Sequence, residues 1–263
     1  MTDERPLETG WLADTPVDDT LLRRFLFSQG EVNDVTARAT GGRVERTDDV
    51  FLADSGTPVP YLNQALLARP VGRADDPVLD VVDTFFADVG HATTLLSIWP
   101  TLDLSPRGWT LGGHPVLVAR APGPVEHQPP ADVEVRPAAT ADDRRAAERI
   151  VVDGYPMPEA ADMAPGALFP AALADLGLTV RLGLLEGSPV AVGNVHVGHG
   201  VTNLCLAATL PAARRRGVWE SLVWARVGEA PELPALAYTS DFSRPGFLRM
   251  GFLPITRFTL WVR

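Results

Sequence analysis

A chain of 263 residues, 46% apolar and 21% charged, is long enough for two domains and apolar enough for packed cores. Its 33 acidic residues against 23 basic ones leave a net charge of −10, which argues against nucleic acid as a partner and suits a cationic substrate such as an amine. No apolar run approaches the roughly 20 residues of a bilayer span. The acidic start MTDERPLETG does not read as a secretion signal, and the single cysteine, Cys205, forms no intrachain disulfide and reads as a core residue. These features point to the cytoplasm, away from membranes.

In chain order, TLLRRFLFSQGEVNDVTARA (20–39) has a helical pattern over at least its first part, and RVERTDDVFLAD (43–54) and VPYLNQALLARP (59–70) read as strands. Asn63 is the one polar residue of that second apolar strand that stands out, as a candidate for a cleft between the halves or as a turn hydrogen bond. DPVLDVVDTFFADVG (76–90) reads as a helix, TTLLSIWP (93–100) as a strand, and GWTLGGHPVLVARAP (108–122) as the strand that closes a first α+β domain at 1–120. The stretch APGPVEHQPPADVEV carries five prolines or glycines and no apolar period, which makes 121–131 a linker.

The second domain, 132–263, opens with the alternating strand DVEVRPAA (132–139). Thr140 and Asp143 form a capping-box start for a helix through about Val152. DGYP (153–156) ends it, and a second short helix is expected near 167–176. LTVRLGLLEGSPVAVGNVHV (178–197) reads as a hairpin and VTNLCLAATL (201–210) as a third strand. A helix at 214–229, a strand at 235–242, a short helix at 244–250 and a final strand, FLPITRFTLWVR, complete the pattern.

The chemistry concentrates at ATLPAARRRGVW (208–219), where a strand stops at Pro211 and a helix restarts near Arg214. A helix start offers free N–H donors and the positive end of the helix dipole. Arg214, Arg215 and Arg216 add charge, and Gly217 permits close backbone approach, so the turn suits a pyrophosphate. By itself it could equally be a solvated basic turn.

The order of elements decides in favour of a ligand. Pro211, then Arg214 and Gly217 in an R/Q-x-x-G-x-G/A spacing, followed by RPGFLRMGF (244–252), resemble the GNAT superfamily of acyl-CoA-dependent N-acyltransferases, in its two-domain, actinobacterial form. The resemblance covers 132–263. It implies a mixed, largely antiparallel twisted sheet flanked by helices, preceded by an α+β domain that is at most a degenerate second copy. It also implies acetyl-CoA as co-substrate, no metal, and direct attack of a small-molecule or peptide amine on the thioester. By this resemblance the backbone of Arg215, Arg216, Gly217, Val218 and Trp219 holds the pyrophosphate. Ala207 and Thr209 face the pantetheine arm, the Ala207 N–H lying near the thioester carbonyl as an oxyanion donor.

Two positions depart from the family pattern. The last motif residue is Trp219 instead of Gly or Ala; its indole either packs with Val223 and Trp224 or lies over the coenzyme groove. Where many members carry a proton-donating tyrosine, this chain has Phe247. Tyr155 and Tyr238 are the candidate replacements among three tyrosines, and Ser240, Asp241 and Ser243 sit near the vacated position. Asn203 occupies the strand position tested for a base and cannot act as one, which leaves His196, with His199 nearby. Besides the transferase, the residues leave open a non-catalytic or regulatory acyl-CoA-binding module, and a GNAT-shaped protein that binds another ligand between its halves. A homodimer is also left open.

Overall fold

The computed structural model describes residues 20–98, 102–155 and 157–263. The segment MTDERPLETG, the end of TTLLSIWP at Trp99 and Pro100, and Pro156 of DGYP lie outside the described residues.

The first half begins with α1 (Leu21–Ala39), capped by the Thr20 side chain accepting from the Arg23 N–H. Strands β1 (Arg43–Arg46), β2 (Val50–Asp54) and β3 (Asn63–Leu67) follow as an antiparallel run. Helix α2 (Pro77–Phe85) starts at an Asp76 cap with proline in its first turn. It returns the chain to β4 (Thr94–Ser97), parallel to β3, before β5 (Thr110–Gly113) and β6 (Val116–Arg120).

The second half follows a similar order with an added first strand and two added short helices. After β7 (Val133–Pro137), α3 (Ala141–Gly154) starts with the full capping box of Thr140 and Asp143. A short α4 (Ala172–Asp175) precedes the antiparallel strands β8 (Leu178–Leu185), β9 (Ser188–Gly198) and β10 (Val201–Thr209). Then come α5 (Val218–Val227), β11 (Ala235–Thr239) parallel to β10, α6 (Arg244–Arg249), β12 (Leu253–Arg257) and β13 (Thr259–Val262).

Each half gives its last strand to the other. One sheet runs β1-β2-β3-β4-β13-β5 and the other β7-β8-β9-β10-β11-β6-β12. Strand β6 lies between β11 and β12, and β13 lies between β4 and β5, each antiparallel to both neighbours. The linker at 121–131 therefore separates the backbone but not the sheets. FLPITRFTLWVR, expected as one strand, breaks at the fully buried Phe258 so that its two parts can enter different sheets. GWTLGGHPVLVARAP breaks at His114–Pro115 for the same reason, and the Phe258 N–H donates to the Pro115 carbonyl at 2.9 Å where the two exchanges cross.

Helix α1 packs between the sheets, with Phe25 and Leu26 in one cluster with Leu66, Leu117, Val201, Leu236 and Phe258. A line of buried amides crosses the same contact. Asn203 Nδ2 donates to Gln29 Oε1 at 3.1 Å and Gln29 Nε2 to Asn33 Oδ1 at 2.9 Å. Asn33 Nδ2 donates to Gln64 Oε1 at 3.1 Å and Gln64 Nε2 to Thr94 Oγ1 at 3.3 Å. Because an unpaired buried amide costs more than a made hydrogen bond gains, this line fixes the register of the two halves. Asn63 ties its loop to the chain ahead of β4, accepting from Ser55 and donating to the Thr57, Val59 and Ala92 carbonyls. Among the described residues, no helix is long and apolar enough to cross a membrane.

Candidate functional site

Strand β10 pairs with β9 along its whole length, but its parallel pairing with β11 is limited to Thr202–Ala235 and Asn203–Leu236. Beyond that point β11 stays bound to β6 through Thr239 while β10 follows β9, so the two facing edges part into a wedge. The cause on the β10 side is a bulge at Leu206, which adopts a φ of 37° and shifts the register between Cys205 and Ala207. A positive φ at a branched residue is strained, and such strain concentrates at functional positions.

Ala207, just past the bulge, turns its carbonyl to Tyr155, whose hydroxyl donates to it at 2.5 Å. Tyr155 caps the C-terminal end of α3, and burial raises its phenol above the usual range, so it carries its proton at neutral pH. Thr209, at the end of β10, has a buried hydroxyl with no partner among the described residues. Tyr238 lies deeper, edge-on to Phe25 at 6.3 Å; burial holds its phenol well above the ordinary range, with Tyr155, Cys205 and Tyr61 adding to the shift. All three tyrosines of the chain thus gather at one end of the wedge. Cys205 is buried beside them, and burial pushes its thiol up to about 12.

The chain leaves β10 through a 3-10 turn at Pro211–Ala213 and enters α5 at Gly217, with no side chain capping the helix. The first-turn N–H groups, those of Val218 and Trp219 among them, thus have no side-chain cap among the described residues. The three arginines diverge. Arg214 folds back to donate to the Thr209 and Gly154 carbonyls, both at 3.3 Å. Arg216 pairs with Asp132 at 3.0 Å and Glu186 at 3.4 Å. Arg215, exposed with a φ of 63°, makes no ion pair among the described residues. Gly217 has a φ of 82°, and a Cβ there would come within 2.8 Å of Pro130 in the linker. The missing side chain is thus needed by the turn and by the packed linker, whatever ligand the backbone meets.

Trp219 and Phe247, the two departures from the family pattern, meet each other. Their rings stand edge to face at 5.0 Å, and the Trp219 indole lies over Gly246, where a Cβ would be 2.5 Å from its ring. The indole therefore spans the gap between α5 and α6, with Val223 and Phe252 in the same cluster. Of the expected alternatives, the contacts seen are those of core packing.

The remaining candidates lie elsewhere. His196 sits where the halves meet, with Nδ1 3.1 Å from the Gly177 carbonyl and Nε2 3.2 Å from Glu31 of α1; His199 approaches the same carboxylate at 2.8 Å. Glu31 thus bridges two histidines across the interface, and His196 faces α1, not the wedge. Asp241 pairs with Arg257 and Arg244, while Ser240 and Ser243 bond to one another at the exposed start of α6. Sequence reasoning missed Gln29 and Asn33, although their four-residue spacing, in register with Phe25 and Thr36, is a signal for polar groups in a buried helix stripe.

A cavity of about 310 Å³ opens beside the wedge, lined by Pro60 and Tyr61 from the first half and Tyr155, Met157 and Glu159 from the second. The Tyr61 and Tyr155 rings lie 6.5 Å apart, tilted by 45°.

No family model matches this sequence, and no curated protein is significantly similar to it. Solved structures are. A GCN5-related N-acetyltransferase from Kribbella flavida superposes with a TM-score of 0.58 at 21% identity, over 89% of this chain and 95% of that one. A protein assigned to the GNAT family from Novosphingobium aromaticivorans gives 0.58 at 13% identity, over 90% and 97%. A functionally unknown conserved protein from Staphylococcus epidermidis gives 0.57 at 10% identity, over 83% and 92%. These alignments extend across both halves, and at such identities they establish the fold.

Proposed function

We propose that this chain, which has the GNAT fold across its two halves, transfers an acetyl or other short acyl group from acyl-CoA to an amine at the wedge between β10 and β11. The observation that carries this reading is the strained bulge at Leu206, which opens the strand edges directly upstream of an uncapped helix start. The pyrophosphate fits the first-turn N–H groups of α5, with Arg215 as the cation available to it. The unpartnered Thr209 hydroxyl and the backbone around Ala207 suit the amide-bearing arm and the thioester. The thioester supplies the activated carbonyl carbon. The amine nitrogen bonds to that carbon, the C–S bond breaks, and the proton leaving nitrogen ends on the CoA sulfur.

For the proton, Tyr155 is better placed than the other candidates. Its protonated hydroxyl already touches Ala207, whereas Tyr238 is half-buried with its ring edge-on to Phe25 and His196 faces the other half. Losing acid–base assistance from the Phe247 position corresponds to about 10²–10⁴ in rate, so slow turnover is expected. The reading places the protein in the cytoplasm, where acyl-CoA is available. It is tested by CoA release from acetyl-CoA with a panel of amines. Release that saturates in both substrates supports it; no release and no acyl-CoA binding with any amine overturns it.

One observation favours a second reading. The Trp219–Phe247 pair removes the usual proton donor and narrows the gap between α5 and α6 together. A binding module derived from the enzyme would bind acyl-CoA saturably and release no CoA.

A further inference from the structure

The cavity between Tyr61 and Tyr155 has a composition that selects its occupant. Its lining supplies two phenol rings, a thioether and one carboxylate, and no cationic side chain. Both residues are partly exposed at the cavity wall, Tyr61 at 39% and Tyr155 at 38%. Glu159 makes no ion pair among the described residues and stands exposed at the mouth. Aromatic faces with an unpaired carboxylate attract an organic cation, and the charge of −10 draws cations toward the surface. The volume, about 310 Å³, is at the small end of ligand pockets and excludes a folded partner.

The two walls belong to different halves, yet their spacing is fixed. The turn carrying Tyr61 is tied by Thr94 Oγ1, which lies 3.3 Å from the Pro60 carbonyl, and by Asn63 Nδ2 donating to the Val59 carbonyl at 3.1 Å. Thr94 is also the far end of the amide line that starts at Asn203 on β10. The opposite wall, Tyr155, is bonded to Ala207 on the same strand. Strand β10 therefore positions both rings, one directly and one through four buried side chains.

We infer that this cavity is a pocket for a small diamine, built jointly by the two halves: one ammonium rests against Tyr61, Tyr155 and Glu159, and the second nitrogen, as the free base, points toward Ala207. The role of that second nitrogen as acyl acceptor rests on the acyl-transfer reading; cation capture by the pocket does not. The first half then has a task of its own, supplying the Tyr61 wall.

The test is calorimetric titration of the full chain with putrescine and with uncharged butanediol, both without acyl-CoA. Putrescine binds and butanediol binds at least tenfold more weakly. Tyr61→Ala weakens putrescine by about 2- to 5-fold, the range of a cation–π contact at an exposed site, while Tyr61→Phe stays within about twofold of wild type. Glu159→Gln weakens it by about 3- to 5-fold, and the effect shrinks with added salt. Equal binding of the two probes, or full putrescine affinity in Tyr61→Ala, overturns the inference. A parallel titration with acetyl-CoA separates the two readings. Acetyl-CoA binding with no putrescine binding removes the pocket alone, whereas putrescine binding with no acetyl-CoA binding removes acyl transfer and leaves the cation pocket standing.

Discussion

Replacing Trp219 with alanine separates packing from ligand contact. The indole is partly buried, stacked edge to face on Phe247 at 5.0 Å and seated on Gly246. An aromatic pair of this geometry contributes about 0.5–1.5 kcal/mol beyond area burial. Truncating a fully buried tryptophan costs about 3–5 kcal/mol; scaled for the exposed part of this one, the loss is about 2–3 kcal/mol. For a chain of this size each kcal/mol corresponds to about 2–4 °C, so Tm should fall by about 4–12 °C in a calorimetric scan. Acetyl-CoA affinity should stay within about threefold of wild type or improve, because the phosphate donors at α5 are backbone groups and truncation only widens the groove. A tenfold loss of affinity with an unchanged Tm would refute this: the indole would then be a ligand contact and not a packing element.

Three other outcomes follow from single contacts. Asp143 is held far below the usual carboxylate range, first by the Arg136 hydrogen bond and then by the capping contacts of Thr140, against the opposing effect of burial. Its stabilisation is therefore complete above the unfolded value of about 3.9 and is lost as pH falls toward the folded one. Asp143→Asn should cost about 1–2 kcal/mol at neutral pH in urea unfolding, with the gap to wild type closing below about pH 4. The Cys205 thiol, raised to about 12 by burial, should resist a thiol reagent at pH 8 in the native protein and react once per chain in denaturant. Arg226 is fully buried with no carboxylate partner among the described residues, its pKa drawn down to about 10 by desolvation, and its guanidinium takes the space a Cβ would need at Gly193. Arg226→Met should be neutral or stabilising by up to about 2 kcal/mol in the same unfolding assay, since it removes an unpaired buried charge.

The elements of the second half were legible because their signals are local. Thr140 and Asp143 announce a capping box, and the alternation of 178–210 announces strands. The strand exchange was not, because VLVAR and TLWV are apolar enough for either sheet and nothing local says which. The arginine turn was legible as a cation cluster; that Arg214 and Arg216 are already engaged while Arg215 is not depends on Gly154, Asp132 and Glu186, which are remote in sequence. The same holds for Trp219, whose partner Gly246 matters for the side chain it lacks. His196 suited a base by residue type, but its setting is decided by Glu31 from the other half.

The most direct measurement is a calorimetric titration of the full chain with acetyl-CoA, repeated with Arg215→Glu. If the wedge and the uncapped α5 form a coenzyme site, wild type shows one saturable site per chain. Reversing Arg215, which makes no ion pair among the described residues, then weakens binding by about 10- to 100-fold, as expected for loss of a charge-assisted phosphate contact. No binding by wild type, or binding that is indifferent to Arg215→Glu, would contradict the assignment of this cleft to acyl-CoA.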